Sequence, residues 1–256
     1  MGATASSAPA AHHTLRILGL LSAQRGPVAA STIAHALDLP RSTVYRLLGV
    51  LVAHGFVLHL PEARRYGIGI AAFELSSGFM RQEPLTRLGR PILTALVDRL
   101  GESAHLTVLH GRDVVYLIEE RAPGRPHLVT DVGVRLPSHV TASGRALLAT
   151  LPKSQLRALF PTSGAFVHRS ESGPSNYAEL SLLLEGVRER GFAAEDGDVT
   201  EGIASVAVAV RDHAGWPAAG IAVSFPRDSI PIDRWPDLAA EIGQVASELS
   251  RRISGR

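Results

Sequence analysis

The sequence predicts an α+β protein with two domains, on the basis of three observations. In residues 12–70, apolar side chains recur at helical spacing in three short segments that precede a short hairpin. Beyond residue 85, strand and helix patterns follow one another in a mixed order, which favours an antiparallel sheet flanked by helices. The 256 residues are 45% hydrophobic and 20% charged, as in folded globular proteins, and the length suits two modest cores. We expect a disordered Ala/Ser-rich tail over 1–11, one domain over 12–70, a linker helix over 71–84 and a second domain over 85–254.

Composition excludes several classes of protein. The chain has no cysteine, which removes disulfides and thiolate metal sites and fits a reducing cytoplasm. No apolar run approaches the roughly 20 residues that span a bilayer. The histidines of the second domain are His105, His110, His127, His139, His168 and His213. They lack the tight spacing of metal ligands, so we predict no metal and no cofactor.

The best-defined helix of the first domain follows Pro40 and ends before Gly55. Its apolar residues recur at i, i+3, i+4 and i+7, which marks one face of an amphipathic helix; they are Val44, Leu47, Leu48 and Leu51. Pro40 suits a helix start and Gly55 a helix stop.

Two shorter helices precede it. Ser31 is a suitable N-cap for a helix whose apolar residues are Ile33, Ala34 and Leu37. An earlier helix has an apolar stripe of Leu15, Leu18 and Leu21. Residues 38–40 leave room only for a tight turn. Three small helices with such a turn between the last two form a helix-turn-helix.

The polar face of the third helix is typical of DNA recognition, with a basic hairpin beside it. Arg46 lies opposite the apolar stripe, where it could reach a guanine edge, and Tyr45 could meet a phosphate or a thymine methyl. Arg64 and Arg65 lie where the hairpin returns, as in a wing that grips phosphates. The predicted DNA-binding residues are Thr32, Arg41, Ser42, Thr43, Tyr45, Arg46, Arg64 and Arg65. Any surface helix has polar residues opposite its core stripe, so the stripe alone leaves this open.

The charge distribution agrees with DNA binding. Six arginines against two acidic residues give residues 1–71 a net charge of +4, against −2 for the rest.

Two late strands of the second domain have one bulky face and one face of small residues. The small faces carry Ser205, Ala207 and Ala209 in the first strand and Gly220, Ala222 and Ser224 in the second. Such a surface leaves space for a closely packed helix or for a ligand, and both interpretations stand. A helix that begins near Thr141 and Ser143 would offer free N–H groups to a carboxylate, although Thr141 could be a plain N-cap. We read His127–Asp131 as a third strand after the hairpin of 105–119.

Nearly the whole chain resembles the IclR family of bacterial transcription regulators. Four stretches carry the resemblance: Leu39–Leu48, Arg65–Gly69, Leu136–Leu148, and Gly191–Asp196 leading to Gly202–Ile203. The resemblance implies an amino-terminal winged helix-turn-helix and a carboxyl-terminal GAF-like effector-binding domain. It also implies dimers or tetramers that respond to small organic acids or aromatic metabolites.

In family members that bind small carboxylates, the ligand lies between the helix start and the two late strands. The effector-binding residues predicted for this chain are Thr141, Ala142, Ser143, Glu195, Ser205, Ala222 and Ser224. Three positions depart from the family pattern: Arg145 replaces the usual Lys, Ser205 stands where some members have Cys, and Ala222 where a second Ser can occur.

We therefore predict a cytoplasmic transcriptional regulator that does not span a membrane and binds a palindromic operator in double-stranded DNA as a homodimer or homotetramer. A small effector, expected to be a carboxylate, would control it. Repression of a metabolic operon is the expected mode, although the sequence does not distinguish it from activation. Enzymatic activity is the main alternative, and the chain lacks both a Gly-x-Ser-x-Gly elbow and a phosphate-binding loop. A winged helix that contacts protein is a further alternative.

Overall fold

The computed structural model describes residues 8–24, 26–75, 84–126, 128, 130–167 and 173–254. The chain divides into two compact units, Met1–Gln82 and Glu83–Arg256, called here the amino-terminal and carboxyl-terminal units.

The amino-terminal unit consists of three helices and a small antiparallel sheet of strand order β1-β3-β2. Its elements are α1 (Pro9–Ser22), β1 (Val28–Ala29), α2 (Ala30–Leu37), α3 (Arg41–Ala53), β2 (Val57–Leu60) and β3 (Arg65–Ile68). Residues 70–75 are helical, and 76–83, the remainder of the predicted linker up to residue 83, lie outside the described residues.

The turn between α2 and α3 follows from its sequence. Asp38 ends α2 in the left-handed conformation, with φ of 53°, which Asp tolerates better than most residues. Pro40, whose fixed φ suits a helix entry, precedes Arg41 at the start of α3. The predicted apolar stripe of α3 is buried against α1 and α2, so the helix-turn-helix is confirmed.

Three details of this unit were predicted wrongly. Helix α1 begins at Pro9, so residues 9–11 are helical and do not belong to a tail. Ile17 and Leu21 form its buried face, whereas Leu15 is 69% exposed. Helix α2 begins at Ala30, because β1 runs directly into it, and Ser31 is therefore inside the helix and is not its N-cap.

The carboxyl-terminal unit is built on a six-stranded antiparallel sheet of order β6-β5-β4-β9-β8-β7, flanked by helices. Its elements are α4 (Pro84–Leu100), β4 (Ser103–His110), β5 (Asp113–Glu120), β6 (Arg135–Pro137), α5 (Ala142–Ala149), α6 (Lys153–Leu159), α7 (Tyr177–Arg190), β7 (Ala193–Asp196), β8 (Ile203–Arg211), β9 (Pro217–Pro226) and α8 (Trp235–Ile253). The α+β fold class is thus confirmed.

The two faces of this sheet pack against different helices. The bulky face, with Val206 and Ile221, is buried against α4 and α8 in the main core. On the small-residue face, α5 approaches closely: a Cβ added to Gly220 would lie 3.1 Å from Cβ of Ser143. The helix-packing interpretation is therefore correct at Gly220, while Ser205, Ala222 and Ser224 on the same face line a pocket.

The predicted strand over 127–131 is wrong where it can be checked. His127 and Val129 lie outside the described residues, and Leu128, Thr130 and Asp131 are in no strand. Strand β6 pairs with β5 instead. Strand β7 was not predicted from the sequence. Within the described part of the chain, no helix is both long enough and apolar enough to cross a bilayer.

Candidate functional site

The polar face of α3 presents most of the predicted DNA-binding residues to solvent. Arg41, Ser42, Tyr45 and Arg46 are exposed, and Thr43 is half-buried. Thr32 is exposed on α2. The unit's core is on the other side of α3, so the helix can enter a groove without losing packing.

The wing holds its two predicted arginines differently. Arg64 closes the turn with φ of 49° and donates its backbone N–H to the Pro61 carbonyl at 3.2 Å. The exposed Arg65 donates Nη1 to the Pro27 carbonyl, also at 3.2 Å. That bond uses only one of the five N–H donors of a guanidinium.

Sequence reasoning missed an aromatic pair on the wing. His59 and Tyr66 are cross-strand partners whose rings stack with centroids 4.6 Å apart. Burial raises the pKa of the Tyr66 phenol above its ordinary value of 10.0, and the Tyr45 phenol on α3 raises it further. The only available signal was the hairpin register.

All seven predicted effector-binding residues line one pocket of the carboxyl-terminal unit. The residues come from four segments of the chain, 141–143, 195, 205 and 222–224. Among the described residues, seven more line it: His105, Tyr116, Leu128, Thr130, Val199, Thr200 and Ile203.

The first turn of α5 forms one wall of this pocket. The Thr141 hydroxyl accepts the Gly144 N–H at 3.1 Å, so Thr141 is both the N-cap and a lining residue. A Cβ on Gly144 would lie 2.2 Å from the Ser138 carbonyl oxygen, so only glycine fits there. The N–H groups of Ala142 and Ser143 belong to the first turn, where no intrahelical acceptor exists.

The hydroxyl of Ser143 has no hydrogen-bond partner among the residues that the structure describes. Ser143 is 1% exposed, and its Oγ makes no hydrogen bond within the described residues. A buried polar atom without a partner is costly. Together with the helix start, this hydroxyl favours a ligand that brings an oxygen to this wall.

A hydrogen-bonded network around Glu195 forms the opposite wall. Ser205 donates its hydroxyl to Oε1 at 2.6 Å and lies 2.9 Å from the Ser224 hydroxyl. Oε2 accepts the N–H groups of Asp198 and Val199 at 3.0 and 3.3 Å. Burial raises the pKa of Glu195 to about 7, against the lowering effects of the Ser205 and Val199 hydrogen bonds. A substantial fraction of Glu195 therefore carries a proton near neutral pH.

Arg145 connects this network to α5. Its guanidinium donates to the carbonyls of His139 at 2.8 Å and Ala194 at 2.9 Å, and to the Asp198 carboxylate at 2.6 Å. Arg145 and Asp198 are both buried. The planar fork of Arg suits three fixed acceptors better than the ammonium group of Lys. Arg145 therefore links the segment before α5 to β7 and to Asp198.

His105 adds a neutral polar wall that sequence reasoning missed. Its ring Nε2 lies 2.9 Å from the Thr130 hydroxyl, and its ring packs edge to face against that of Tyr116, with the ring centroids 5.6 Å apart. Burial and, to a smaller extent, the positive charge of Arg121 together lower the pKa of His105 to about 4, so the imidazole is neutral. His105 lies opposite Ala222 in the sheet register, and no local sequence pattern predicts this pairing.

The pocket is narrow. Its empty space is about 370 Å³ counted out to the mouth, but the centre of a water molecule can occupy only about 20 Å³ of it. A ligand of a few heavy atoms fits this space, and a larger one requires side chains to move.

Two family models match the chain, one for each unit. Residues 10–61 match the IclR helix-turn-helix domain, and residues 78–251 match the carboxyl-terminal domain of bacterial IclR transcriptional regulators.

Curated relatives and solved structures agree with this match. A probable transcriptional regulator, SauR of Cupriavidus necator, is 34% identical over 94% of this chain and 95% of its own length. The transcriptional repressor IclR of Escherichia coli is 28% identical over 94% of this chain and 88% of its own. An IclR homologue from Microbacterium hydrocarbonoxydans, solved with 4-hydroxybenzoate, has the same fold: the TM-score is 0.82, the identity 20%, and the coverage 96% of this chain and 100% of that one.

Proposed function

This chain belongs to the IclR family of bacterial transcriptional regulators, and on that premise we propose that it represses a metabolic operon and leaves its operator when a small carboxylate binds the carboxyl-terminal unit. Helix α3 would read the major groove of a palindromic operator, with the wing on the phosphates. The protein would act in the cytoplasm as a homodimer or homotetramer, without enzymatic activity.

One observation carries the effector proposal. Residues from four segments converge on a pocket that begins at the first turn of α5, where the buried Ser143 hydroxyl has no partner in the described part of the chain. The N–H groups of Ala142 and Ser143 and the Ser143 hydroxyl would together bind a carboxylate. The bound 4-hydroxybenzoate of the Microbacterium homologue supports an acid as the ligand class.

The pocket's chemistry limits the rest of the effector. Glu195, already bonded to Ser205, would be a poor neighbour for a second anion, so the ligand should place a hydroxyl or keto group there, or bind when Glu195 is protonated. The narrow interior favours an acid of a few carbons over an aromatic acid.

Binding alone would not make a switch. The effector must bind the DNA-released form more tightly than the DNA-bound form, since otherwise it cannot shift the equilibrium between them.

The test combines two measurements on the full-length protein. Gel shifts with the DNA upstream of its own gene should show binding that competitor DNA of unrelated sequence does not remove. A thermal-shift screen of small acids should find compounds that raise the melting temperature, and these should also release the DNA. The proposal fails if the protein retards specific and unrelated DNA alike, or if the stabilising acids leave the DNA complex intact.

A further inference from the structure

The small-residue face of the sheet carries a row of polar side chains across four strands. Ser103 lies opposite Ser224, and Ser224 lies opposite Ser205. Ser205 in turn lies opposite Glu195. Directly opposed residues of antiparallel strands share a face at about 5 Å. Ser224, Ser205 and Glu195 line the effector pocket, and Ser103 lies just beyond it.

Ser103 lines a second, smaller cavity that adjoins the effector pocket, called here the second compartment. Its empty space is about 180 Å³ counted out to the solvent, of which the centre of a water molecule can occupy about 10 Å³, and Arg125 is among the residues that line it. Leu128, Ile203 and Ser224 line both cavities, so two aliphatic side chains and one hydroxyl form the partition. Leu128 and Ile203 are only half-buried. Side chains of this kind change rotamer rapidly, so the partition can open without a change in the sheet.

Arg125 retains hydrogen-bonding capacity. Its Nε donates to the Gly101 carbonyl at 3.1 Å, and Nη2 donates to Oε1 of Glu102. These two bonds use only part of the five donors of a guanidinium. Glu102 is 3% exposed, and burial raises the pKa of its carboxyl group. Arg125 is therefore held in place while part of its fork remains available to an acceptor.

We propose that the effector site continues past Ser224 into the second compartment and takes a bifunctional acid. One carboxylate would bind at the start of α5, and a second carboxylate at the other end of the molecule would accept hydrogen bonds from Arg125. This inference rests on the proposed function, because it extends the same site. A monocarboxylate of equal length would leave a methyl group beside polar groups that then have no partner.

The test compares linear acids of matched length by titration calorimetry of the full-length protein. Succinate is compared with butyrate, and glutarate with valerate. The two acids of each pair have the same number of carbons and differ only in having a carboxylate or a methyl group at the far end. We expect the better dicarboxylate to bind about tenfold or more tightly than its partner, as a charge-assisted hydrogen bond allows. Arg125→Gln should reduce that preference to within about twofold and leave the monocarboxylate affinity unchanged. Arg99→Gln is the control, because Arg99 forms a half-exposed ion pair with Glu241 and lines neither cavity.

A second variant guards against misfolding, since Arg125→Gln leaves Glu102 without its cation. Ile203→Ala should widen the partition and raise the affinity of glutarate relative to succinate. The second compartment is overturned if the wild type binds both acids of each matched pair equally well. It is also overturned if a folded Arg125→Gln protein keeps the full preference for dicarboxylates. Neither result contradicts the proposed release of DNA by a carboxylate. If no acid of either series binds, the second compartment is overturned as well, whereas the proposed function is decided separately by the wider thermal-shift screen and the gel shifts.

Discussion

The two regions expected to bind ligands hold their side chains in opposite ways. On α3, Tyr45 is 56% exposed and Arg46 extends into solvent. In the candidate pocket, Glu195 is 4% and Ser224 7% exposed, and both belong to one hydrogen-bonded network. An exposed side chain interacts only weakly within its own chain, so its energetic contribution depends on the contacts that it makes with bound DNA. A buried one is already fixed by its neighbours, and its burial changes its chemistry, as the pKa of Glu195 shows.

This contrast separates two kinds of mutational effect. Substitutions on the exposed face of α3 should change DNA affinity and leave the melting temperature almost unaltered. Substitutions in the pocket should change effector binding and also shift the melting temperature, because they break a packed network. Each of the following predictions tests one side of the comparison.

The largest effect is expected at Ser224. The Ser224→Leu side chain would fill a pocket in which a water molecule's centre has only about 20 Å³, so effector binding and DNA release should be lost while DNA affinity is kept. Ser247→Leu, on the exposed surface of α8, is the matched control. If the Ser224→Leu protein still releases DNA at the wild-type effector concentration, the pocket lies elsewhere.

Arg46→Ala should have the next largest effect, and only on DNA. Loss of a base contact costs about 1–3 kcal/mol, or roughly 5- to 150-fold in affinity, and relaxes preference at one position per half-site. Arg16→Ala, an exposed arginine on α1, should change neither. Binding-site selection from a random DNA library measures the preference. A sequence logo identical to that of the wild type would show that Arg46 reads no base.

Much of the fold could be predicted because its signals are local. The stripe of α3, the turn at Asp38 and the two-faced strands β8 and β9 each follow from side-chain periodicity or turn chemistry. Strand β6 could not be predicted, because three residues give too short a pattern. The face of α1 was misjudged because leucines occur on several sides of that helix, and only the packing against α3 selects Ile17.

The candidate pocket was predicted in part. Alternation identified Ser205 and Ser224, and the resemblance to the IclR family added Glu195. Neither could identify His105, which enters through the pairing of its strand with a strand distant in the sequence. Neither could identify Arg125 in the adjoining cavity, because its contacts with Gly101 and Glu102 join residues more than 20 positions apart. The role of Arg145 was also hidden: its three acceptors lie 6, 49 and 53 residues away along the chain.

Glu195 should link effector binding to pH. A bound carboxylate favours the protonated form of Glu195, so at a pH above its pKa of about 7 binding takes up a proton. Affinity should therefore fall as the pH rises from about 7 to 8, by up to about tenfold per unit, and stay nearly level below that. Glu195→Gln should bind with little pH dependence. Calorimetry in buffers of different ionisation enthalpy measures the proton uptake, and its absence at pH above 7 would exclude this link.

The same shift predicts the sign of a stability effect. Folding raises the pKa of Glu195 from 4.5 to about 7. The contribution of protonated Glu195 to the free energy of unfolding is therefore fully present below pH 4.5 and is lost as the pH rises through about 7. The melting temperature of the wild type should therefore decline over this range relative to that of Glu195→Gln. If the melting temperatures of the two proteins change in parallel with pH, folding does not raise the pKa of Glu195, and its carboxyl group is ionised over this range.

The smallest effect is expected at the wing, where exposure limits each contact. Replacing Arg64 and Arg65 with Ala should weaken all DNA sites alike and flatten the log–log dependence of affinity on salt by about 1–2 units, since each phosphate contact contributes about 0.9. Arg65 already donates one N–H to Pro27, so its single variant should lower the slope less than that of Arg64 and should also loosen the pairing of β1 with β3. Affinity measured over a range of salt concentrations, on specific and unrelated DNA, separates these effects. A changed sequence preference with an unchanged slope would mean that the wing reads bases, and the exposed side of the comparison would then be as specific as the buried one.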